Sequence, residues 1–260
     1  MSAPEPDQIC PLLEYDPDPT DVVTAAQPAT PRASVAPAAV LAYLGDATNR
    51  WAAEHGYERV TSVRLLGQKY PVYVGAHGAT PLTLVEMPLG APASAIVADD
   101  VFRMGARVGV AVGSCGGLVH FAEGEFVLPD RALRDEGTSW HYAPPGRWID
   151  TDPAVRAAIA RACEAAGYAA VTAPAWTTDA FFRETRAKVE ARRAEGCRVV
   201  DMECAALAAV ARHRGARFAQ LLFTADTLAG GAHDARGWGR SAHETALRLA
   251  LDAAAAAPLA

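Results

Sequence analysis

Lysine is almost absent from this chain. Of 24 basic residues only Lys69 and Lys188 are lysines, so any anion must be met mainly by arginine or by backbone amides. The formal net charge of −6 argues against a general polyanion-binding surface, because a nucleic-acid footprint needs a basic face. There is no run of 18 apolar residues and no basic-then-apolar opening segment, so neither membrane insertion nor secretion is expected. The five cysteines, Cys10, Cys115, Cys163, Cys197 and Cys204, form no C-x-x-C pair and sit in or beside apolar or small-residue runs, as free thiols in a reducing cytoplasm do. The sequence also lacks H-E-x-x-H, a cluster at metal-ligand spacing, a G-x-x-x-x-G-K loop and a G-x-S-x-G elbow, so no metal or other cofactor is expected.

What is present suits one α/β domain. With 51% hydrophobic residues over 260 positions the chain can bury a large core. Residues 1–37 concentrate proline without periodicity and read as an extended or partly disordered arm, leaving 38–260 as a single domain. Residues 38–55 read as a helix stopped by Gly56, followed by short strands at 60–66, 71–76 and 81–87. Pro92 opens a helix that Gly105 closes, and Val108 to Val112 is a buried strand ending in a glycine-rich GSCGG turn. Asp152-Pro153 starts a helix running to Gly167. Residues 184–195 form a charged, solvated helix, and Ser241 with Glu244 reads as a capping box for the last, alanine-rich helix. Strands alternating with helices imply a mostly parallel sheet.

The stretch VVDMECAALAAVARHRGARFAQLLFTAD, residues 199–226, sets three carboxylates at the edges of a segment otherwise too apolar to face water. From Glu203 to His213 apolar residues surround the helical wheel, which predicts a helix buried on all sides and ended by Gly215. Phe218 to Thr224 is a continuous hydrophobic run, as in a parallel strand covered on both faces, and it delivers Asp226 at its carboxyl end, where ligands sit in open α/β sheets. A purely structural role for Asp201 and Glu203, at the positive end of a helix dipole, is worth a few tenths to about 1 kcal/mol.

Four segments in order, VGSCGG at 112–117, RDEGTSWHYAPPG at 134–146, TTDAFF at 177–182 and DMECAA at 201–206, resemble the successive signatures of the nucleoside phosphorylase family, over roughly residues 60 to 230. The resemblance implies a three-layer α/β/α sandwich with a central mixed, mostly parallel sheet. It implies cleavage of a nucleoside's N-glycosidic bond, most simply by inorganic phosphate as co-substrate. It also implies a dimer or hexamer of identical chains.

Residue by residue, the resemblance assigns Glu203 to the ribose 2′ and 3′ hydroxyls and Asp226 to proton donation to the base, the two catalytic positions. Met202 would pack under the sugar, with Asp201 beside it. Phe181 would stack on the base, although its adjacency to Phe182 turns only one of the two inward in an extended segment. Gly113, Ser114, Cys115 and Gly116 would supply a ligand-facing backbone. His141 would line the base pocket or the subunit edge, and Arg186 falls near a pyrimidine-gripping arginine of uridine-specific relatives. For phosphate the resemblance offers Gly90, Ser114 and, in a weak echo of an N-terminal turn, Arg32.

Two departures bear on the nucleophile. Ala111 stands where phosphorylases usually carry a phosphate-binding arginine, and Pro88 replaces a glycine and removes an N–H donor from the loop that cradles the anion. Either another arginine, such as Arg32 or Arg103, takes that place, or water replaces phosphate and the protein is a nucleosidase. A nucleoside-binding protein without catalysis is the third reading, and retention of both Glu203 and Asp226 speaks against it.

Overall fold

A computed structural model describes residues 10–25 and 34–259. Its elements in chain order are α1 (Val22–Ala25), β1 (Ala38–Ala42), α2 (Asp46–Glu54), β2 (Glu58–Leu65), β3 (Gln68–His77), β4 (Thr80–Glu86), α3 (Ala91–Arg103) and β5 (Val108–Gly117). There follow β6 (Phe126–Leu128), β7 (Arg131–Asp135), α4 (Ser139–Tyr142), β8 (Trp148–Asp150), α5 (Pro153–Ala165), β9 (Ala170–Thr172) and β10 (Ala175–Thr178). The chain ends with α6 (Arg186–Ala194), β11 (Val199–Asp201), α7 (Cys204–His213), β12 (Arg217–Thr227) and α8 (His243–Ala256).

One mixed sheet runs β2-β3-β4-β1-β5-β11-β10-β7-β8, with β12 branching from β5 toward β6 and β9. The long β5 is its hub. It pairs in parallel with β1 and β12 and, through Gly116 and Gly117, antiparallel with β11. Side chains alternate across it as the pleat requires. Val108, Val110 and Val112 enter the layer of α2, α5 and α8, whereas Ala111 enters the layer of α3 and α7 with Ala39 and Leu41. This is the expected α/β/α sandwich.

Asp152 caps α5 by accepting from the Ala154 and Val155 amides, with Pro153 in the first turn where no N–H is missed. Among the described residues no helix is long and apolar enough to cross a membrane.

Three local expectations are corrected. Residues 38–55 are not one helix: Ala38–Ala42 is a fully buried strand between β4 and β5, and α2 starts only after Gly45 at φ 54°. Two flanking ladders outweigh the helix preference of its alanines. GSCGG is not a turn but the end of β5, held by β11 and β12. The Ser241–Glu244 capping box does not form, because a 3-10 turn at Arg240–Ala242 runs directly into α8 and leaves Ala242 at its N-cap.

Candidate active site

A cavity of about 370 Å³ opens where β5, β11 and β12 meet. Ser114, Cys115 and Gly116 of β5 form one wall, and Val200 to Glu203 at the β11–α7 junction form another. Asp226 enters from β12. It lies inside a register shift between Thr224 and Thr227, a bulge of the kind that re-aims a side chain at the end of a strand. Leu89, Phe181, Phe182, Glu184 and Trp238 complete the lining. Gly116 has to be glycine: a Cβ there would meet Val200 Cγ1 at 2.9 Å and both Asp226 carboxyl oxygens at 3.4 Å.

The junction before α7 divides its two acids by role. Asp201 accepts from Thr177 Oγ1 at 2.7 Å and from the Glu203 and Cys204 amides at 3.1 and 2.7 Å, so it holds the start of the helix together. Glu203, itself the N-cap residue, makes no side-chain bond to its own helix. Its Oε1 instead accepts from the Gly90 amide at 2.6 Å. Burial first, then the neighbouring Asp201 charge, pushes the Glu203 carboxyl up to about 8. Burial also raises Asp201, but its donors from Thr177, Cys204 and Glu203 oppose that rise. Burial thus favours the protonated form of both acids, and the donors on Asp201 act against it there.

At the other end, Asp226 Oδ2 lies 3.0 Å from His233 Nε2. The Arg236 guanidinium donates to the Asp226 carbonyl and to the Phe121 carbonyl, tying the following loop to the strand end. Glu184 is pushed up to about 7, by burial and then by the Asp226 charge. Burial raises the Cys115 thiol well above its usual range, and its Sγ–H points to the Phe223 carbonyl, which removes it as a nucleophile.

Asp226, Glu203, Asp201, Met202, Ser114, Cys115, Gly116 and Phe181 line this one cavity. Phe181 and Phe182 sit on a 3-10 turn rather than an extended segment, so both reach it. Gly113 lies against Tyr43, where a Cβ would come within 2.9 Å of the tyrosine Cβ. Arg186 turns to the Gly231 carbonyl at 3.0 Å. His141 lines a separate groove with Arg103, Asp99 and Tyr142. The Gly90 amide is engaged by Glu203, and Arg32 lies outside the described residues. Glu184, His233 and Trp238 were not anticipated as site residues. Nothing in the composition of the GGAHDARGW segment, residues 230–238, ties His233 to Asp226. Among the described residues no lysine, arginine or histidine lines the cavity, and no group of His, Cys, Asp and Glu could hold a metal ion.

Residues 37–257 match the family model of the Phosphorylase superfamily. The guanosine phosphorylase of Halorubrum lacusprofundi is 26% identical over 58% of this chain and 63% of its own length. The uridine phosphorylase of Treponema pallidum is 33% identical over 37% of this chain and 38% of its own. The alignments thus span less than two thirds of these curated relatives. Among solved structures, the Toxoplasma gondii purine nucleoside phosphorylase in complex with immucillin-H superposes with a TM-score of 0.74 at 21% identity, over 85% of this chain and 91% of that one. The AMP nucleosidase of Bacteroides thetaiotaomicron gives 0.68 at 24% identity, over 86% and 93%. These likenesses establish the shared fold, and the family match over most of its length makes this chain a member of the phosphorylase superfamily.

Proposed function

We propose that the protein cleaves the N-glycosidic bond of a nucleoside and passes the sugar to inorganic phosphate, releasing the free base and a (deoxy)ribose 1-phosphate. The observation that carries this reading is the pairing of Glu203 and Asp226 in one cavity with Phe181 and Met202. Glu203 is buried and presents a carboxyl for the sugar hydroxyls; Asp226, at the strand end, serves the departing base as general acid. Phe181 offers an aromatic face to the base, and Met202 an apolar one to the sugar. The membership of the chain and the phosphorylases among its relatives favour phosphate as nucleophile.

A second reading, hydrolysis by water, draws on a specific observation. No basic side chain lines the cavity among the described residues, the Gly90 amide is spent on Glu203, and Ala111 is sealed in the α3–α7 layer. Arg103 is no substitute: it pairs with Asp100 at 3.6 Å and borders the His141 groove. Release of base from inosine, adenosine, guanosine, uridine and thymidine, with saturating phosphate and with phosphate removed, separates the two. Sugar 1-phosphate formed only with phosphate supports phosphorolysis. Equal release as free sugar without phosphate replaces it with hydrolysis, and no release from any nucleoside overturns both.

The same reading makes this a cytoplasmic enzyme of nucleoside salvage that needs no cofactor and acts as a dimer or hexamer of identical chains. In such an assembly residues 1–37 would serve as an arm, and His141 would stand at a subunit edge. Half-exposed Ile96 beside His141 supports an apolar contact there.

A further inference from the structure

His233 has no task in the cleavage reaction as described, yet its placement is specific. Nε2 stands 3.0 Å from Asp226 Oδ2, and the side chain is 40% exposed where that of Asp226 is 8% exposed. The imidazole is held edge-on to Phe181, centroids 6.0 Å apart, and tilted against Trp238 at 5.8 Å. Both rings line the cavity. The loop that carries His233 is pinned on both sides. Thr227 and Asp234 exchange two backbone hydrogen bonds of 2.9 Å, and Arg236 reaches back to the Asp226 carbonyl. Arg236 and Trp238 hold φ of 45° and 58°, uncommon for residues with a Cβ, so the conformation that presents His233 is imposed by its surroundings.

An acid closed off from water that gives its proton to a departing base must regain one in every turnover. His233 bridges the two environments: Nε2 on the acid, and two fifths of a side chain otherwise packed on Phe181 and Trp238 open to solvent. Resting on the glycosidic-cleavage reading, we infer that His233 is the positioning residue and proton relay of Asp226. The C1′–N9 bond of a purine nucleoside breaks with its electron pair passing to the base, and Asp226 delivers its proton to N7. The nucleophile, phosphate or water, bonds to C1′ and gives up a proton to solvent. His233 Nε2–H then returns a proton to Oδ2 as Nδ1 takes one from solvent, and exchange of the ring protons with solvent restores the Nε2–H tautomer, so protons and charge balance over the cycle. The other charged groups around the pair are the Glu184 carboxyl facing Asp226, Asp234 beside the ring in sequence, Arg236 at the Asp226 carbonyl, and Arg186 at the Gly231 carbonyl.

The test compares inosine with 7-methylinosine, whose base leaves without needing a proton, in the wild type, His233→Gln and His233→Ala. The expected result is a fall of roughly tenfold or more in kcat for inosine, with KM within about twofold, and unchanged turnover of 7-methylinosine. The latter also certifies that the variants are folded. Equal slowing of both substrates, or no slowing of inosine, overturns the inference while leaving the cleavage reading intact. So does a wild type that cleaves uridine but not inosine. A wild type that releases base from no nucleoside overturns the reading and the inference together.

Discussion

The Gly90 amide donates to Glu203 Oε1 across 2.6 Å, joining the turn before α3 to the residue that opens α7. The family resemblance assigns that amide to an anion; here it donates to the protein's own carboxyl. Gly90 sits at φ 92°, and a Cβ would meet nothing within 4 Å, so the backbone conformation alone disfavours other residues. Gly90→Ala is expected to cost about 1–2 kcal/mol of stability. It should also weaken nucleoside binding by loosening Glu203. Thermal unfolding and nucleoside titration of the variant check both effects, and a variant with unchanged midpoint and affinity would refute the link.

Glu203, raised to about 8, and Glu184, raised to about 7, each give stability a pH dependence in the same direction. Between the ordinary carboxylate range and these values the folded protein binds more protons than the unfolded chain. The stabilisation is therefore full below about pH 4.5 and is lost as pH rises through 7 and 8. Glu203→Gln keeps an acceptor for Gly90 and removes the titration. It should flatten the decline and leave the variant on the order of 2 kcal/mol more stable than wild type at pH 9, with little advantage at pH 5. Denaturant melts at the two pH values decide it; a parallel decline in both proteins would count against the assignment.

Asp201 holds the start of α7 together. Four donors converge on its buried carboxylate: the Thr177 hydroxyl, the Gln220 side chain and two amides at the start of α7. Asp201→Ala leaves those amides and the Thr177 hydroxyl unpaired in the interior, at a cost of about 3 kcal/mol. Asp201→Asn, which retains one acceptor, should lose less. If urea unfolding shows Asp201→Ala as stable as wild type, the capping role is wrong.

The parts of this fold legible in the sequence were those whose burial is two-sided. The all-round apolar face of α7 and the unbroken run of β12 admit one reading each, and both elements appear where expected. Ala38–Ala42 misleads because five small apolar residues carry no period, and only pairing with β4 and β5 decides between helix and strand. In the same way, Glu203, Asp226 and Phe181 could be named from motifs. Glu184 and His233 could not, since they are polar residues on irregular segments that reach Asp226 only because the β12 bulge and the Phe181–Arg183 turn converge in space. The occupancy of the Gly90 amide was invisible for a like reason: it joins residues 113 positions apart.

Asp226→Asn preserves the size of the side chain and its contact with His233 but removes the transferable proton. Turnover of a purine nucleoside is expected to fall at least about tenfold, roughly 1.4 kcal/mol in the barrier. Steady-state kinetics with inosine measures this directly. Wild-type kcat in the variant would remove Asp226 from the role of general acid.

Nucleoside binding should release a proton. Burial and the Asp201 charge favour the protonated Glu203 carboxyl in the free site. Sugar hydroxyls that donate to it favour the ionised form, so their arrival lowers its proton affinity. Calorimetric titration at pH 7 in buffers of different ionisation heat, without phosphate and with the Asp226→Asn variant to suppress turnover, should show release approaching one proton per site. The release should vanish above about pH 9, where Glu203 is already ionised, and in the Asp226→Asn, Glu203→Gln double variant at any pH. Binding with no buffer dependence at pH 7 would mean that the sugar hydroxyls are held by some other group.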